Sequence, residues 1–144
     1  MLGISDTVTP VYQLRRDTEQ VRKVQKATLN TEQYGIEQTH GLFGSDEWWQ
    51  KIESGDLPTQ RLRGTISRVY MGSMGDWPCF EMSTDTGAVL NWTRFAHTRE
   101  LSDLYAVGKR VEVDFVIQRN RQRAPVYAGE KTECVIEVRI GDDA

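Results

Sequence analysis

Arginines at alternating positions are the residues of this 144-residue chain best suited to chemistry. Arg119, Arg121 and Arg123, spaced by Asn120 and Gln122, form a loop between two apolar stretches, and Arg61 and Arg63 repeat the spacing earlier. Guanidinium forks in that pattern could engage several phosphates of a nucleic acid, or carboxylates on an acidic protein surface. The simpler alternative is a solvated loop whose charges keep a sheet edge soluble.

Catalytic chemistry is thinner. The two histidines are His40 and His97, and a Cys79–His97 dyad would join residues on different elements with no third group to orient the base. The two cysteines, Cys79 and Cys134, have no CxxC spacing and no neighbouring His, which argues against zinc and against a disulfide framework. GxGxxG, Walker A, EF-hand and HExxH patterns are absent from the sequence. A non-enzymatic protein with no metal and no cofactor is expected.

Charge narrows the partners. Residues 1–56 hold six Lys/Arg and nine Asp/Glu, whereas residues 57–144 hold twelve of each, so the net charge of −3 belongs to the N-terminal part. That mild acidity is not the basic footprint of a dedicated nucleic-acid binder. The first residues lack a basic stretch followed by an apolar run, and no segment approaches the roughly 18 consecutive apolar residues of a membrane span. A cytoplasmic protein with no membrane contact is expected.

The elements that must position these residues divide into two kinds. Thr9–Pro10 resembles a capped helix start, predicting a helix to about Asn30 with a thin stripe of Val11, Leu14, Val21, Val24 and Leu29, broken by a polar gap from Arg15 to Gln20. Either this helix rests on the rest of the fold, or Val21 and Val24 complete their burial on a partner. A glycine-containing connector follows, then a short helix capped by Ser45 and ending at Gly55. Its Trp48 and Ile52 share a face, whereas Trp49 is turned by roughly 100 degrees and could anchor a partner if the connector leaves it uncovered.

From Pro58 onward the period is that of strands. Gln60–Met71 sets Leu62, Gly64 and Ile66 on one face, and the phase break at Val69 predicts a bulge near Arg68. Trp77–Thr84 places Phe80 and Met82 inward and Cys79, Glu81 and Ser83 outward, and the next strand, Ala88–Phe95, sends Asn91 and Thr93 outward. Leu101, Leu104 and Tyr105 suggest a short helix that enters the fourth strand through Gly108. In that strand Val111, Val113, Phe115 and Ile117 alternate with polar residues, so Val113→Asp or Phe115→Asp should unfold the chain while Glu112→Ala should be nearly silent. Glu133–Ile140 makes the fifth strand.

Three meandering strands, a helix and two further strands resemble the OB-fold, a five-stranded, partly open barrel. The resemblance covers Gln60 to Ile140 and implies an α+β chain: a helical N-terminal extension, residues 1–57, before an OB-like β-barrel domain, residues 58–144, with one inserted helix. It also implies that the face of strands two and three, with its adjoining loops, is the place to look for a ligand, and the outward residues named above offer no aromatic platform for bases. The favoured expectation is therefore a protein-interaction module, such as a small regulator, inhibitor or immunity-type protein, with Trp48, Trp49, Val21 and Val24 as contact candidates. The alternative is a single-stranded nucleic-acid binder using Arg61, Arg63, Arg119, Arg121 and Arg123. The thin-striped helix would also allow a homo-oligomer.

Overall fold

The computed structural model describes residues 8–30, 36–72, 75, 77–119 and 131–143. Six strands, β1 (Thr9–Gln13), β2 (Gln60–Gly72), β3 (Trp77–Thr84), β4 (Val89–Thr93), β5 (Lys109–Arg119) and β6 (Lys131–Asp143), form one sheet in the order β1-β6-β5-β2-β3-β4. Three α-helices accompany them among the described residues: α1 (Thr18–Asn30), α2 (Asp46–Ser54) and α3 (Arg99–Ser102). The α+β class therefore holds, but the sheet is open and is not the OB-like five-stranded barrel. The reason lies at the sheet's edges. A barrel made from β2 to β6 would have to close β6 onto β4, and β6 instead gives that edge to β1, which pairs with it antiparallel from Thr9↔Ile140 to Gln13↔Glu137.

β1 is itself a correction, because Thr9–Pro10 starts a strand and not a helix. Proline has no N–H to give to a ladder and is accepted on an edge strand, and Val11 and Tyr12 are both buried here. A single 3₁₀ turn, Leu14–Arg16, then leads to α1, whose true cap is Asp17: its Oδ1 accepts the Gln20 N–H at 3.1 Å. The polar gap in the stripe is thus the junction between strand and helix.

The described residues make two compact units. One comprises the segment ending at Gln13, Arg61–Asp114 and the chain from Glu137 onward. Its core holds Val11, Ile66, Phe80, Met82, Val111, Val113, Val138 and Ile140. The bulge is real: Ile66 pairs with Met82 and Arg68 with Glu81, so Ser67 is the extra residue that brings Val69 opposite Phe80. Gly64 is needed where β2 meets β3, since a Cβ there would stand 2.1 Å from the Ser83 carbonyl oxygen.

The other unit comprises Leu14–Gln60 and Phe115–Ile136. Ser45 caps α2 by accepting the Trp48 N–H, and Gly55 ends it at φ 89°. Val116 and Gln118 are buried in this unit while Ile117 is 36% exposed, so β5 is not the one-faced strand its alternation suggests. Both of its faces are covered near its middle, a central position that a single strand's pattern does not reveal.

Candidate functional site

Most of the sequence candidates lie among the described residues. Trp48 is fully buried: its indole Nε1 donates to Gln118 Oε1 at 2.8 Å, and its ring packs on Phe43 and edge-on to Trp49. Trp49 is only 9% exposed, with the Arg15 guanidinium 4.0 Å above its ring and Arg15 paired to Glu53 at 2.6 Å. Neither indole offers a broad surface to a partner, because the connector and Arg15 cover them. Val21 and Val24 are half-buried on α1, and Val21 lies so close to Gly44 that a Cβ there would meet it at 2.5 Å. Leu29 is 61% exposed, outside the stripe expected of it.

The arginines separate. Arg121 and Arg123 lie outside the described residues, and Arg119 is exposed at the end of β5. Arg61 and Arg63 are consumed by a carboxylate network across β2, β5 and β6. Arg61 donates Nε and Nη2 to Asp114 at 2.7 and 3.1 Å, and Arg63 donates Nε to Glu112 at 2.8 Å. Arg139 completes it with Nε to Glu112 at 2.8 Å, Nη2 to Asp114 at 2.9 Å and Nη1 to Glu137 at 2.7 Å. Three cations face three carboxylates, so the cluster carries no surplus charge for phosphates.

The same geometry sets the protonation behaviour. Burial pushes the Asp114 carboxyl upward, but bonds from Arg61 and Arg139, together with their charges, outweigh it and hold the group below its ordinary value. Glu112 is lowered in the same way, with burial opposed by Arg139 and then Arg63. Arg139 is raised, its burial overcome by the bonds to Asp114, Glu112 and Glu137. Burial lifts the Cys134 thiol to about 12, which leaves it inert as a nucleophile. His97 is a structural group: its backbone N–H donates to the Val11 carbonyl, and its Nε2 accepts the Gln13 N–H at 2.9 Å. Both bonds hold β1, and neither prepares His97 to activate Cys79. Among the described residues no group of His, Cys, Asp and Glu could hold a metal ion.

The outward face of β2, β3 and β4 gathers aromatic, charged and polar side chains. Antiparallel register aligns Arg68 with Glu81 and Asn91, Tyr70 with Cys79 and Thr93, and Gly72 with Trp77. Phe80 and Met82 turn inward as their alternation requires, and both are fully buried. Trp77 is 54% exposed, two residues before Cys79 and therefore on the same face. Its Nε1 donates to Thr93 Oγ1 at 2.8 Å, Tyr70 Oη donates to Asn91 Oδ1 at 2.7 Å, and Ser67 Oγ donates to Glu81 Oε1 at 2.9 Å. The Arg68 guanidinium sits 4.3 Å over the Tyr70 ring. The face is therefore not bare of aromatics: parity alone assigns Trp77 to it, and the extra residue at Ser67 brings Tyr70 there.

An exposed indole, a stacked arginine and braced polar side chains share this sheet face, a combination suited to binding a protein, and among the described residues no catalytic constellation accompanies them. The class these features fit is a protein-binding chain. Residues 8–141 match the model of the immunity protein RhsI2 family, and the chain belongs to that family. No curated protein matches it. Among the described residues no helix is long and apolar enough to cross a membrane.

Proposed function

We propose that this immunity protein neutralises a cognate Rhs toxin by binding it, without chemistry, through the outward face of β2, β3 and β4. The observation that supports the location is Trp77, a large aromatic left 54% exposed while its indole N–H is already satisfied within the sheet. Such a ring gives contact area with little loss of side-chain freedom, which is how interface anchors act. Arg68 and Tyr70 are held against one another beside it and extend the same surface. Two free thiols, Cys79 and Cys134, support a reducing setting such as the cytoplasm.

A second contact region has its own support. A hollow of about 230 Å³ beside α1 is lined by Val21, Arg22, Gln25, Gly44 and the rim of Trp49. Calorimetry of the purified chain with the purified cognate Rhs toxin separates the two. Trp77→Ala should weaken binding about 30-fold, as for an interface anchor worth about 2 kcal/mol, while Arg22→Ala, at the hollow, leaves it unchanged. The reverse pattern would move the contact to α1.

A further inference from the structure

The two edges of the sheet are treated differently. On β1, Pro10 has no N–H, the Val11 carbonyl accepts the His97 N–H at 3.1 Å, and the Gln13 N–H goes to the His97 ring. That edge is sealed. At the opposite end, no strand among the described residues lies beyond β4.

The ladder between β3 and β4 shows which β4 groups are left outside it. Thr84 N donates to Ala88 O and Arg94 N donates to Pro78 O, so the hydrogen-bonded positions of this strand are the even-numbered ones. Val89 and Asn91 consequently turn their N–H and C=O away from β3. Val89 is 55% exposed, and Asn91 is exposed too. Natural edge strands are ordinarily blunted by charge, proline or a bulge. From Gly87 to Thr93 there is no charged residue and no proline, and β4 pairs with β3 without a register shift.

We infer that β4 is a docking edge to which an extended segment of the toxin adds as a further strand; this rests on the immunity function proposed above. Two residues whose backbone donors and acceptors are open among the described residues suit a segment of about three to five residues. Its side chains on one face would cover the half-buried Leu90 and Trp92, and so should be apolar or aromatic. On the other face they would lie beside Val89 and Asn91, continuous with the surface that carries Tyr70 and Trp77. A second copy of this chain fits less well. A symmetric antiparallel pair centred on Asn91 would set Val89 against Thr93, whose carbonyl already accepts the Phe95 N–H at 3.0 Å. A toxin segment meets no such duplication.

The test is amide-resolved hydrogen exchange on the intact chain, alone and with the purified cognate Rhs toxin, beside the affinities of Asn91→Pro and Asn91→Ala. Proline at an outward N–H leaves the β3 ladder intact but blocks a new strand, whereas alanine removes only the side chain. Slowed exchange at Val89 and Asn91 in the complex, with Asn91→Pro binding at least about tenfold more weakly than Asn91→Ala, supports the docking edge. If the wild-type chain binds but these amides remain fast, or the two variants bind alike, the edge is not the contact and the immunity function stands. Protection that appears without toxin as the chain is concentrated places a second copy there and overturns the inference. Failure of the wild-type chain to bind the toxin at all would remove the proposed function itself. Should Asn91→Pro not fold, the exchange comparison on the unmodified chain decides alone.

Discussion

Removing Asp114 tests the carboxylate network most sharply. This carboxylate accepts two bonds from Arg61 and one from Arg139. Bonds to charged groups contribute about 1.5–3 kcal/mol each when buried, but Arg61 is 49% exposed and can return to water, so its share falls toward the ~0–1 kcal/mol of a surface pair. Arg139 is only 15% exposed and would keep two of its three carboxylate partners. The sum is about 3 kcal/mol for Asp114→Ala, equivalent to a fall in Tm of roughly 6–12 °C for a chain near this size. Arg63→Ala, at a side chain 54% exposed, should cost below about 1 kcal/mol. Glu112→Ala should fall between them and is not the silent change its outward position in the strand suggests, since it strips a partner from both Arg63 and Arg139. Urea denaturation of the three variants measures the order. An Asp114→Ala midpoint equal to that of Arg63→Ala would refute the network's role.

Three further outcomes follow from the same geometry. Asp114 and Glu112 are both held below their ordinary values, so their stabilisation is fully present above the unfolded pKa values near ~4 and is lost as pH falls through the lower folded ones; urea midpoints should drop in that acid range, and Asp114→Asn should flatten the drop. Gly64→Ala drives a Cβ against the Ser83 carbonyl and should cost about 3 kcal/mol or prevent folding, whereas Gly55→Ala, with open space around it, should cost about 1 kcal/mol by calorimetric unfolding. His97→Ala orphans the Gln13 N–H and should cost about 1–3 kcal/mol, with faster amide exchange in β1 as its specific signature.

Local signals proved legible and pairings did not. Ser45 and Gly55 bracket α2 because cap chemistry is written in a few adjacent residues, and the bulge is visible as a phase break at Val69. Phe80 and Met82 turn inward because alternation fixes a strand's two faces. The edges are another matter. Whether β6 closes onto β4 or accepts Thr9–Gln13 depends on partners more than a hundred residues apart, and Pro10 serves an edge strand as readily as a helix start. Glu112 and Asp114 look like solvent-facing residues in β5 alone, since Arg61 and Arg139 reach them from neighbouring strands. Trp48 faces inward as its spacing with Ile52 suggests, but the cover that Arg15 gives Trp49 comes from a residue 34 positions earlier, which helix spacing does not reveal. Trp77 could have been found from its parity with Cys79.

Stoichiometry tests the central claim most directly. The purified chain, titrated into the cognate Rhs toxin, should abolish toxicity at a fixed molar ratio and elute with the toxin as one complex whose mass is measured by light scattering. Neutralisation at far below that ratio, with no complex formed, would mean that the chain acts by turnover and would contradict immunity by binding.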